Sequence, residues 1–98
     1  MTTIAYSPLA VEDLRDITLY IAADNPTRAF SFVEELREKA ERIASHPLAY
    51  PARDDLIPGL RSASYGRYLL YYRIADDGIR IERVLHSARD QGSALSGD

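Results

Sequence analysis

The apolar residues of this chain change their period once, and that change fixes most of what it can fold into. Up to Ser45 they recur at helical spacing: Ala10, Leu14, Ile17 and Ile21 share one face, and Ala29, Phe32, Val33, Leu36, Ala40 and Ile43 share another. From Leu60 to His86 the spacing shortens to alternation in Tyr, Leu, Ile and Val, the habit of strands with a covered face. Residues 46–59 lie between, hold Pro47, Pro51, Pro58 and Gly59 without a period, and read as a crossing loop.

The helix starts are written in their caps. Ser7-Pro8 and Asn25-Pro26 each put a side-chain acceptor at the cap and a proline at the first helical position, where its missing N–H costs nothing. The first helix is expected to reach about Ala23, with Glu12 and Asp13 suiting its positive end, and the second to stop near Ser45. So short a link predicts an antiparallel helical hairpin. Ahead of it, Thr3 to Tyr6 alternates like a strand. Gly66 breaks the later run into two strands, and Asp76-Asp77-Gly78, residues tolerant of positive φ, predicts a second tight turn before Ile79 to His86. In the middle strand Leu70, Tyr72 and Ile74 are expected to face the helices, with Leu69, Tyr71 and Arg73 on the other side.

The expected fold is therefore two-layer α+β, order β-α-α-β-β-β, with the helical hairpin packed on one face of an antiparallel sheet. Propensity does not say where the first strand pairs. Ninety-eight residues suit one domain, 1–98, ending in a polar tail from about residue 87.

Composition narrows the function. Cys is absent and there are two His, so no metal site or cofactor is expected. Met1 to Ile4 lacks the basic start of a signal peptide, and no apolar run approaches the roughly eighteen residues that span a bilayer, so the expected location is the cytoplasm, without membrane contact. The net charge is −3: residues 1–59 carry six basic against ten acidic groups, and residues 60–98 six Arg against five acids. An acidic total weighs against direct sequence-specific binding of nucleic acid, yet Arg61, Arg67 and Arg73 form a local basic stretch with no acid from Leu60 to Ala75.

Metal-free ribonuclease chemistry needs a base, a cation for the charged phosphorane and an acid. Arg61, Arg73, Arg80, Arg83, His86 and several Tyr could supply them, with Arg61, Arg73, Arg83 and His86 the leading candidates and His86 the one suited to serve as base. The same four are candidates for binding an anionic partner surface. Against these stand plainer roles: a strand-end His that only hydrogen-bonds, strand Arg on a solvated face, and Tyr65, Tyr68, Tyr71 and Tyr72 as packing rather than base-stacking groups. Asp54-Asp55 and Asp76-Asp77 sit in expected turns, and His46 suits the negative end of the second helix.

Four stretches, in order, carry a family likeness. They are Ala10-Val11-Glu12-Asp13-Leu14-Arg15-Asp16-Ile17 running to Tyr20-Ile21, Asn25-Pro26 with Ala29, Gly59-Leu60-Arg61 leading to Tyr71-Tyr72-Arg73-Ile74, and Arg83-Val84-Leu85-His86 with Arg89-Asp90. From Pro8 to Asp90 the chain resembles the ParE toxins of bacterial toxin–antitoxin pairs, within the ParE and RelE superfamily. That resemblance implies a small toxin held inactive by a ParD-like antitoxin and acting on DNA gyrase by binding, with no catalytic residues. The RelE branch implies instead a ribosome-dependent mRNA endonuclease, for which Arg61, Arg73, Arg83 and His86 would be the working residues. A homologue without toxicity, retained as a co-regulator in the antitoxin complex, shares the same sequence features.

Overall fold

The computed structural model describes residues 2–96, so Met1 of the leader reading and Gly97 and Asp98 of the expected tail lie outside the described residues. Its elements are β1 (Thr3–Tyr6), α1 (Pro8–Ala22), α2 (Pro26–Ser45), β2 (Arg61–Tyr65), β3 (Tyr68–Ala75), β4 (Gly78–His86) and α3 (Gln91–Ser96), with one 3₁₀ turn at Pro47–Ala49. Both caps form as their residue types require. Ser7 Oγ accepts from the Ala10 amide at 3.0 Å, and Asn25 Oδ1 from the Arg28 amide at 3.0 Å. His46 ends α2 through its backbone N–H, which donates to the Ile43 carbonyl at 3.1 Å.

The sheet order is β1-β4-β3-β2. β2, β3 and β4 form an antiparallel meander, but β1 runs parallel to β4, so the sheet is mixed rather than wholly antiparallel. The direction of β1 follows from the helix it feeds. The Ser7 amide donates to the Ile81 carbonyl at 2.9 Å and extends the parallel ladder by one bond, while the Ser7 hydroxyl donates to the Glu82 carbonyl at 2.6 Å. One residue thus ends the strand, caps α1 and holds both on β4.

The β3–β4 register slips between Tyr71, which pairs with Arg83, and Tyr72, which pairs with Ile81, leaving Glu82 unopposed. This bulge resets the alternation so that Ile79, Ile81 and Val84 all reach the helix-side core with Leu70, Tyr72, Leu36 and Ile43. Ile74, expected in that layer, is 46% exposed near the end of β3.

The opposite face is covered too, contrary to the one-sided sheet expected from the pattern. Leu60, Tyr71 and Leu85 are buried there with Ala94, under Leu56 and Ile57 of the crossing loop and Leu95 of α3. The expected polar tail therefore folds back as a helical turn. Its Ala94 is 5% exposed, and Gln91 Oε1 accepts from the Tyr71 hydroxyl at 2.9 Å. Two apolar residues among Gly and Ser are too few to show a period.

Glycine works differently at the two turns. Gly66 has φ +57° at the first position of the two-residue β2–β3 turn. Gly78 is not a positive-φ residue; a Cβ there would lie 1.9 Å from the Thr3 carbonyl oxygen, so its role is to let β1 approach.

Candidate partner-binding surface

The residues predicted to act do not gather at one point. Arg61, on edge strand β2, donates to the Tyr50 carbonyl at 2.7 Å and pins the crossing loop. Arg83 turns to α1: its guanidinium donates to both Asp13 oxygens, at 2.7 and 2.9 Å, and to the Ala94 carbonyl at 2.8 Å. Hydrogen bonding to Asp13 raises the Arg83 pKa and outweighs the opposing effect of burial. Arg73 donates to the Pro58 carbonyl at 2.9 Å and lies 3.3 Å from Glu82, the bulge residue. Arg80 meets the same carboxylate at 3.5 Å.

Arg73, Arg80 and Arg83 thus share the sheet face away from the α1–α2 hairpin. They border a hollow of about 440 Å³ whose apolar walls come from Leu9, Ile57, Leu60 and Leu95. The hollow joins the α1 start, the crossing loop, the bulge and α3. An apolar cleft with a cationic rim suits a protein side chain presented beside a carboxylate. Leu9, at its edge, is 52% exposed.

His86 lies elsewhere, at the far end of β4. Its ring packs edge-on against Tyr68, with centroids 5.2 Å apart, and its Nδ1 accepts from the Ala88 amide at 3.0 Å. It borders a second groove with Arg67, Arg28 and Tyr20, which none of Arg61, Arg73 and Arg83 lines.

The tyrosines are mainly packing groups. Tyr71 and Tyr72 are fully buried, and burial pushes both phenols upward in pKa. Tyr65 donates to Glu35, which also holds Arg28. Asp54 accepts from the Gly59 amide and Asp55 pairs with Arg53, so both serve the loop. Among the described residues no cluster of three or more His, Asp or Glu could hold a metal ion, and no helix is long and apolar enough to cross a membrane.

Sequence reasoning missed Asp13 and Glu82. Asp13 sits among charged neighbours in the helix sequence, and Glu82 alternates as an ordinary outward residue until the bulge is known. Arg80 was visible only as one of the cations that could serve a ribonuclease, with nothing to mark its place beside Glu82.

The chain is thus α+β, with a helical hairpin on a four-stranded sheet and an apolar cleft rimmed by Arg73, Arg80 and Arg83. Residues 4–91 match the ParE toxin of the type II toxin–antitoxin system parDE, and the chain belongs to that family. Toxin ParE1 from two strains of Mycobacterium tuberculosis, CDC 1551 / Oshkosh and ATCC 25618 / H37Rv, is 36% identical over 64 residues. That match covers 64% of this chain and 65% of the relatives, so the chain spans just under two thirds of their length. The fold is also that of a chain in the chromosomal ParDE system from P. aeruginosa, with a TM-score of 0.71 at 20% identity over 88% of this chain and 96% of that one.

Proposed function

We propose that this family member acts by binding and inhibiting DNA gyrase, without catalysis or cofactor, and is neutralised in the cytoplasm by a cognate ParD-like antitoxin. The separation of the ribonuclease candidates carries the choice between binding and cleavage. A base and a phosphorane-stabilising cation must both reach one phosphate. Here His86 borders one groove with Arg28 and Arg67 but with none of the other predicted residues, Arg73 and Arg83 border another, and Arg61 is bound to the loop. Arg83 is further committed to Asp13. These facts support contact over chemistry.

In this reading Arg73 and Arg80 supply the cationic rim, Leu9 and Leu60 the apolar seat, and Arg61 and Arg83 hold the surface in shape. Expression of the chain alone should stop growth, and co-expression of the neighbouring antitoxin should restore it and yield a co-purifying complex. Ribosome-dependent mRNA cleavage that disappears in Arg73→Ala and His86→Ala variants would overturn the binding reading in favour of the RelE type. Harmless expression of a folded chain that still binds antitoxin would leave only the co-regulator role.

A further inference from the structure

The second groove, of about 570 Å³, lies at the end of the molecule where α1 turns into α2 and β2 into β3. Its walls are Tyr20, Ile21, Phe32 and Tyr68, with Arg67 and His86 among the residues at its edge. Tyr20 is 80% exposed, the most exposed of the large apolar and aromatic residues among those described. Among the described residues no carboxylate lines this groove itself, though Asp16 and Asp24 border the hollows beside it; in the first groove Glu82 already engages Arg73 and Arg80.

Its cations differ in availability. Arg28 donates to both Glu35 oxygens and sits 5.1 Å over the Phe32 ring, so it forms part of the wall. Arg67 makes no side-chain hydrogen bond or ion pair among the described residues, and its backbone is fixed by the turn, where its carbonyl accepts from Ser87 at 2.7 Å. His86 has Nδ1 occupied by the Ala88 amide, which leaves Nε2 as its free donor. A forked guanidinium and one imidazole N–H beside aromatic walls match one carboxylate next to one apolar side chain.

We infer that this groove is a second docking site, taking an acidic segment of a partner protein that presents an apolar or aromatic anchor beside a carboxylate. The inference rests on the view that the chain works by protein contact. A nucleic acid strand fits less well: neutralising successive phosphates needs a row of free cations, whereas this groove offers one free Arg on a chain of net charge −3.

The test is an NMR titration of the ¹⁵N-labelled full chain. The probes are the synthetic peptide acetyl-Glu-Glu-Leu-Phe-Glu-Glu-amide, its counterpart with every Glu replaced by Lys, and a single-stranded oligothymidylate. The acidic peptide should give saturable shifts at Tyr20, Arg67, Tyr68 and His86, and Arg67→Glu or Tyr20→Ala should weaken its binding by about tenfold or more. Both substitutions fall on exposed side chains, and retained spectra elsewhere will show that the variants stay folded. Absence of saturable shifts, equal binding of the Lys peptide, or tighter binding of the oligothymidylate would each overturn the inference. Gyrase inhibition, measured separately on the unaltered chain, decides the parent reading without affecting this outcome.

Discussion

Asp13 of α1 and Arg83 of β4 form a forked pair, 2.7 and 2.9 Å, in which the side chains are only 10% and 12% exposed. Asp13 Oδ2 also accepts from the Val84 amide at 3.0 Å, where β4, still paired with β3 on its other side, has run past the end of β1. The carboxylate thus substitutes for a missing neighbour in the sheet, and Arg83 carries the link on to Ala94 of α3. Three elements meet in one pair.

Removing one partner should therefore cost far more than a surface ion pair. Asp13→Ala leaves the Arg83 charge and the Val84 N–H without their acceptor, and a loss of about 3 kcal/mol is expected by urea denaturation. Asp13→Asn keeps an acceptor for the amide and should lose less. A loss below about 1 kcal/mol for Asp13→Ala would class the pair with solvated bridges.

Gly78→Ala tests the seat of β1. The added Cβ would lie 1.9 Å from the Thr3 carbonyl oxygen and 2.7 Å from its nitrogen, both backbone atoms. We expect at least about 2 kcal/mol of destabilisation from this overpacking, with hydrogen-exchange protection lost first at Ala5 and Ser7. Unchanged protection there would mean that β1 is not pinned by this approach.

Truncation after Asp90 removes α3 and with it the cover over Leu60, Tyr71 and Leu85. A loss of about 2 kcal/mol is expected from the apolar contacts and the bonds of Gln91 and Ala94, together with new binding of a hydrophobic dye. A truncated chain of full stability that binds no dye would show that α3 contributes nothing to the outer core.

Glu35 sets part of the acid response. Its hydrogen bonds to Arg28 first, and to Tyr65 second, hold its carboxyl below the ordinary glutamate range. The unfolded chain takes up that proton at higher pH than the folded one, so the contribution is complete above the ordinary range and fades as pH falls through the lowered value. Glu35→Gln should lower stability at neutral pH, and its deficit should shrink toward acid pH. A deficit independent of pH would assign the effect to packing alone.

Much of the fold was legible because local rules agreed with the global one. Ser7-Pro8, Asn25-Pro26 and the two apolar stripes gave both helices within a residue or so, and the aromatic alternation gave the meander. What was hidden depended on contacts far apart in sequence. The parallel β1 follows from Ser7 meeting Ile81 and Glu82; the two-sided sheet follows from a bulge and from Ala94 and Leu95 in a polar stretch. Arg61, Arg73, Arg83 and His86 were visible as residue types, but spacing along a strand could not show that Asp13, Glu82 and two loop carbonyls would engage the arginines, nor that His86 would face another groove.

Plasmid supercoiling by the host's DNA gyrase, in the presence of the purified antitoxin-free chain, tests the central claim most directly. Binding without catalysis predicts inhibition that rises with toxin concentration and is reversed when the ParD-like antitoxin is added. Undiminished supercoiling with a folded chain that still arrests growth would contradict it.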